Sequence, residues 1–324
     1  MRGSGVNGER LKVVFIAGLG RNGGTLLDRV LGEVPGFVST GELKFLFAKG
    51  LLRAELCNCG APLPQCPFWS RVVERTAAAT DGFDAAAIAR DFEPLDRTRS
   101  LPWALSDRAP ASVSGRRDRY VELLGRLHHE VAREAGARVV VNSSKFAAYG
   151  ALLARAPDID CRVVHLVRDS RAVAHSWARR RRKPEVTATE AYVKTMRPFD
   201  AALQYVYRNA AVSPLARVAT ALRRVRYEDF VAAPRSVTAS LLDWLDEPAD
   251  DLPFVDDRTV HLHAGHLQSG NPSRFTGGDV VIREDDEWRR AMPAGARRTV
   301  TAVTAPLLLR YGYPLAPGEP PEDR

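Results

Sequence analysis

The stretch Leu11 to Leu31, LKVVFIAGLGRNGGTLLDRVL, constrains this chain more than any other, because it runs from a strand through glycines straight into a helix. Val13, Val14, Phe15 and Ile16 form the β-branched and aromatic run of a parallel strand covered on both faces. The loop Gly18-Leu19-Gly20-Arg21-Asn22-Gly23-Gly24 follows, and Thr25 opens a helix whose Leu26, Leu27, Val30 and Leu31 recur at helical spacing. Glycines let successive backbone N–H groups converge without a Cβ in the way, and a helix N-terminus adds unpaired donors and partial positive charge. The reading is a cradle for an oxyanion, with phosphate its natural occupant.

The spacing comes close to the nucleotide loop GxxxxGK[ST], but Gly24 stands where the lysine that reaches the β- and γ-phosphates belongs. That argues against an ordinary ATPase or kinase and leaves room for another phosphate donor. Arg21 is the cation that the loop itself offers. The competing reading is a tight strand-to-helix turn whose glycines serve packing.

A chain of 324 residues, 45% of them hydrophobic, can bury a full core. Its 47 basic and 39 acidic residues give a formal charge of +8, which favours anionic partners without choosing among them. No stretch approaches the roughly 18 to 20 apolar residues of a membrane span. The start, MRGSGVNGER, lacks the apolar core of a signal peptide, and the expected location is cytoplasmic. Residues 1–10 are expected to be flexible, residues 11–315 to form one domain, and the tail 316–324, APGEPPEDR, to be disordered.

Strand-like runs recur at Arg138–Val141, Arg162–Val167 and Arg223–Tyr227, and helical patterns at Arg116–Ala135, Lys145–Arg155, Arg171–Arg182, Pro234–Leu245 and Arg297–Arg310. A capping box at Thr187–Glu190 opens a further helix to about Asn209 with Pro198 as a kink. Alternating strand and helix predicts an α/β fold: a P-loop-like three-layer α/β/α sandwich around a parallel sheet. Residues 54–115, interrupted by Pro94, Pro102 and Pro110, read as an irregular insertion or lid.

Ligands of open α/β sheets sit beyond the carboxyl ends of the strands, where the third strand delivers Arg168 in the run VVHLVRDSRAVAHSW. Ser176 follows about two turns along the next helix. A guanidinium and a hydroxyl so placed make a second phosphate clamp. At the end of VVVNSSK, Lys145, or else Ser143 or Ser144, faces the same rim.

Together the loop GLGRNGGTLL, the Gly41-Glu42 pair, VNSSK, LVRDSRAVAHS, RYEDF and GNPSRF resemble, in order, the sulfotransferases that use 3′-phosphoadenosine 5′-phosphosulfate, especially the bacterial branch akin to tyrosylprotein and carbohydrate sulfotransferases. The resemblance implies that Arg21, Asn22, Gly23, Gly24, Thr25 and Leu26 hold the 5′-phosphosulfate. It assigns the 3′-phosphate to Arg168 and Ser176, with a further phosphate contact from Arg274. The family loop is closer to R-S-G-[TS]-[TS], so Asn22 and Gly24 depart from it. Glu42 is implied as the base that takes a proton from the acceptor hydroxyl. Arg21 and Lys145 are implied as the cations that stabilise charge on the sulfuryl group and leaving phosphate.

The expected acceptor is a small-molecule, sugar or glycolipid hydroxyl, and a homodimer is compatible with the chain. No metal and no nucleic acid are expected. The basic run Arg179 to Lys183 reads as solvated charge continuing the helix of Ser176. Cys57, Cys59 and Cys66 supply three thiols where a structural zinc wants four ligands, so zinc, a disulfide and plain thiols all stay open. His261, His263 and His266 find no carboxylate cluster to complete a ligand set. Two other classes stand beside the transferase: a kinase with a degenerate loop, and a basic nucleic-acid-binding protein whose glycine loop is only structural.

Overall fold

The computed structural model describes residues 10–179 and 194–316. The first strand, β1 (Leu11–Ala17), is the middle of a five-stranded sheet, with Val13 to Ala17 fully buried. Side chains of a strand alternate between faces. Val13, Phe15 and Ala17 accordingly enter one apolar cluster, and Val14 and Ile16 the other. Each large side chain so removed from water contributes about 1.5–3 kcal/mol.

The sheet is completed by β2 (Phe37–Ser39), β3 (Val139–Lys145), β4 (Ile159–Val167) and β5 (Ala221–Arg226), in the order β2-β3-β1-β4-β5, and every neighbouring pair is parallel. Helices cover both faces, as the alternating pattern predicts. Because β1 lies between β3 and β4, its carboxyl end opens at the point where the chain's order of strands reverses. The helix α1 (Gly24–Gly32) starts there.

A register slip shapes this rim. Phe15 pairs with Asn142, yet Ala17 pairs with Lys145, so β3 carries one extra residue at its end. Such a bulge re-aims side chains, and Lys145 takes a left-handed φ of 69° that few non-glycine residues adopt.

Several expectations are revised. Residues 54–115 are helical at Pro67–Ala78, Ala85–Phe92 and Leu101–Leu105, and their Trp69, Val72, Ile88 and Leu101 sit in the same cluster as Phe15. Pro198 does not kink a helix; it occupies the first position of the helix Pro198–Ala210, where its missing N–H costs nothing. The capping box Thr187–Glu190 lies outside the described residues. The helix after β4 runs Ser170–Ala178, and Arg179 after it is extended. Of the run Arg179 to Lys183 only Arg179 is described.

A two-stranded antiparallel hairpin, β6 (Thr259–Leu262) with β7 (Gly278–Val281), went unread in the sequence. Its long connection, residues 263–277, returns to the rim of the main sheet. Gln268 forms a bridge with Gly41.

Candidate active site

The glycine loop leaves β1 at Gly18, whose N–H donates to the Lys145 carbonyl at 3.2 Å. Gly23 caps α1 at φ 90°, and a Cβ there would lie 2.4 Å from the Tyr227 ring. Only glycine meets both demands. A Cβ at Gly24 would approach Asn22 Oδ1 at 3.1 Å and Lys145 Cε at 3.2 Å. A side chain at this position would be tight against both Asn22 and Lys145, whose side chain lies beside the loop.

Asn22 does not turn its side chain outward. Its amide donates to the Leu166 carbonyl at 2.8 Å, and its Oδ1 accepts the Gly24 N–H at 3.1 Å, stitching the loop to β4. Thr25 Oγ1 accepts the Asn271 N–H at 3.2 Å, which brings the 263–277 connection onto the start of α1. Leu26 is half-buried against the cluster beneath α1. Arg21, at φ 74°, lies over the Trp177 ring at 5.1 Å.

Lys145 Nζ donates to Glu42 Oε1 at 2.5 Å and to the Ser143 carbonyl at 3.0 Å. This pair spans the rim from β3 to the turn after β2 and lies against the glycine loop. Burial alone raises the Glu42 carboxyl, but Lys145, Lys49 and Arg274 outweigh it and hold it below its usual 4.5. Arg208, whose guanidinium burial pulls down to about 10, also feels Glu42 and lies 3.5 Å from the Phe146 ring centroid. Sequence reasoning missed Arg208 and Lys49, because neither belongs to a motif.

Ser143 and Ser144 are committed elsewhere. Ser143 donates to Asp28 at 2.5 Å, and Ser144 donates to Asn142 Oδ1 at 2.6 Å while accepting the Lys44 N–H. Asn142 points its amide at His128 Nε2, 3.0 Å away. Lys145 is thus the group of VNSSK that reaches the loop.

Asp28, on the buried face of α1, is a further omission. It takes hydrogen bonds from Ser39 and Ser143, each at 2.5 Å, tying α1 to the ends of β2 and β3 beneath the Glu42–Lys145 pair. The signal was available: a carboxylate inside the apolar run Leu26 to Leu31. Burial pushes it up to about 6, against the lowering effect of its two serines and of Lys145.

The folded chain therefore keeps this proton up to about pH 6, while the unfolded carboxyl releases it near 3.8. Folded protein binds more protons in that window, and unfolding becomes easier as pH rises through it. Replacing Asp28 by Asn removes this loss. The stability of Asp28→Asn relative to the parent should improve by roughly 2–3 kcal/mol as pH rises from about 4 to about 7. Urea unfolding at both pH values checks it, and a difference that ignores pH would contradict the buried neutral carboxyl.

Arg168 emerges at the end of β4 with its side chain 7% exposed. It donates to the Arg21 carbonyl at 3.3 Å, lies over the Tyr227 ring at 4.3 Å and pairs with Asp285 Oδ2 at 3.1 Å. Ser176 is buried on the following helix, next to Trp177, whose indole donates to the Gly20 carbonyl at 3.1 Å. Arg274 is fully buried, donates to the Leu56 carbonyl at 3.0 Å and stacks over Phe275 at 4.3 Å.

These contacts gather the glycine loop, Glu42, Lys145, Arg168 and Arg274 around one rim. No helix among the described residues is long and apolar enough to cross a membrane.

Similar architecture is found in the sulfotransferase domain of the Synechococcus PCC 7002 olefin synthase, at 19% identity and a TM-score of 0.50, covering 95% of this chain and 97% of that one. The sulfotransferase domain from the curacin biosynthetic pathway gives the same identity and TM-score, covering 95% of this chain and 100% of that one. No curated protein sequence matches the chain. The sequence itself matches the sulfotransferase family over residues 13–251, a span that runs from within β1 through β5 and holds the glycine loop, Glu42, Lys145 and Arg168. The chain belongs to the sulfotransferase family.

Proposed function

We propose that this protein moves the sulfuryl group of 3′-phosphoadenosine 5′-phosphosulfate to a hydroxyl of a small-molecule, sugar or lipid acceptor, leaving adenosine 3′,5′-bisphosphate. The observation that carries the reading is the Glu42–Lys145 pair lying against a glycine loop that has no lysine of its own. The donor, when bound, supplies an activated sulfuryl group on a phosphate leaving group.

In this reading the loop amides and Arg21 receive the 5′-phosphosulfate, and Arg168 with Ser176 holds the 3′-phosphate. Lys145 turns from Glu42 to the oxygens that gain charge during transfer. With its strongest neutralising partner engaged elsewhere, Glu42 becomes more basic and takes the acceptor's proton. Arg274 supports Glu42 electrostatically from the hairpin connection.

Calorimetry separates the classes: adenosine 3′,5′-bisphosphate is expected to bind without Mg²⁺ and to displace ATP. Preferential, Mg²⁺-dependent ATP binding would favour a kinase, and salt-sensitive DNA affinity with no bisphosphate response would favour a nucleic-acid binder.

Arg168→Ala should weaken bisphosphate binding about 10- to 100-fold, the loss of charge-assisted hydrogen bonds worth roughly 1.5–3 kcal/mol. Asp285→Ala, which removes the carboxylate now paired with Arg168, is expected to tighten it. An unchanged dissociation constant in Arg168→Ala would remove that residue from the donor site.

A further inference from the structure

Behind the rim, the three thiols of the Cys57–Trp69 loop meet a fourth donor that lies some two hundred residues later in the chain. Cys57, Cys59, Cys66 and His266 bring their Sγ and Nδ1 atoms all within 4.8 Å of one another. Cys59 and Cys66 sulfurs are 3.6 Å apart, and His266 Nδ1 stands 3.3 Å from Cys66 Sγ and 3.8 Å from Cys57 Sγ.

Tetrahedral Zn²⁺ with Zn–S near 2.3 Å and Zn–N near 2.0–2.1 Å requires S···S of about 3.8 Å and S···N of about 3.6 Å. The three distances fall within a few tenths of those edges. The cysteines are all unbridged, so the spacing is not that of a disulfide.

The surroundings are those of a built site. Gly60, at φ 88°, closes a tight turn in which its N–H donates to the Cys57 carbonyl at 2.9 Å. Burial raises the Cys57 and Cys66 thiols, and backbone amides of Cys59 and Trp69 offset only part of that rise. The His266 ring is stacked on Phe68 at 4.9 Å and 3°, and its carbonyl accepts the Trp69 indole N–H at 2.7 Å, so the ring is held with Nδ1 toward the sulfurs.

His261 and His263 are engaged elsewhere, with Asp279 at 2.6 Å and Glu33 at 2.7 Å. His266 alone of the three turns to the thiols.

We propose that Cys57, Cys59, Cys66 and His266 bind one structural Zn²⁺. Binding displaces three thiol protons to solvent and leaves a site of net charge −1, with Arg71 acting electrostatically on both Cys66 and His266. All four positions are filled by protein, so the ion has no open site for chemistry and its role is architectural.

What it fastens is specific. Next to His266, the Leu267 carbonyl accepts the Asn58 N–H at 3.2 Å, and the Gln268 carbonyl accepts the Glu42 N–H at 2.8 Å. Arg274 in turn donates to the Leu56 carbonyl. The metal staples the hairpin connection to the cysteine loop, and through it sets the turn that carries Glu42.

The test is metal analysis of the full chain purified under reducing conditions with zinc in the medium. About one equivalent per chain is expected, and Co²⁺ in its place should give the ligand-field spectrum of a tetrahedral thiolate site. Cys59→Ser alters the exposed thiol and spares the buried ones. It should weaken zinc binding by more than the roughly 10- to 100-fold typical of an outer-shell change.

In the metal-free protein, the Glu42 and Gln268 amides should exchange hydrogen faster. Folded protein that takes up no zinc after anaerobic reconstitution, or that carries a Cys59–Cys66 disulfide under those conditions, would overturn the site. Stoichiometric zinc with unchanged exchange at Glu42 and Gln268 would overturn the stapling role.

Discussion

Glu42→Gln should turn over roughly 10²- to 10⁴-fold more slowly than the parent, the range typical for loss of a general base, while still binding adenosine 3′,5′-bisphosphate. The amide keeps the shape of the side chain and cannot accept a proton at neutral pH. Affinity for the bisphosphate should rise, because the substitution removes a negative charge from among Lys145, Lys49 and Arg274. Burial, the largest influence on Glu42, raises its carboxyl, but these cations bring it below 4.5 in the free protein.

The ionised form is the active one, so kcat/KM is lost as pH falls through that pKa, and its acid limb should lie below about pH 4.5. On the proposed function Lys145 faces sulfuryl oxygens in the donor complex, and the acid limb of kcat should then move upward. Retention of near-parent turnover in Glu42→Gln, with the bisphosphate still bound, would remove the base assignment.

Much of this site was legible because its parts are local. A strand, glycines and a helix that are contiguous in sequence stay contiguous in space, so Leu11 to Leu31 could be read as one device. The sheet followed from the same logic, since β-branched runs separated by helical patterns leave few topologies.

What escaped depends on contacts between distant segments. The Asn22 side chain spans to Leu166, a partner that only the β1–β4 pairing brings near. The space at Gly24 depends on Lys145, which the extra residue in β3 brings to within 3.2 Å of where a Cβ would stand. Pro94, Pro102 and Pro110 read as breaks in regular structure, yet Pro102 lies in the first turn of the helix Leu101–Leu105 and Pro110 caps the helix Ala111–Ala135. The cysteine loop looked one ligand short because its fourth donor lies in a hairpin connection that no local pattern announced.

Lys145→Met is expected to lower turnover by roughly 10²- to 10³-fold, the scale of losing one preorganised group that stabilises developing charge. Methionine fills much of the same volume beside Gly24, so the loop should survive. Its second consequence separates this lysine from a merely structural one. With Lys145 gone, burial of Glu42 is opposed by weaker influences, those of Lys49 and Arg274 among them, and the carboxyl should rise. The acid limb of kcat/KM in Lys145→Met should therefore lie at higher pH than in the parent.

On the proposed function Glu42 and Lys145 act on one event, proton removal coupled to charge arriving on the sulfuryl group, so the double variant Glu42→Gln/Lys145→Met should be little slower than the worse single variant. Multiplicative losses and an unmoved acid limb would mean that the two residues work independently, and that their 2.5 Å contact holds the rim together without setting the base.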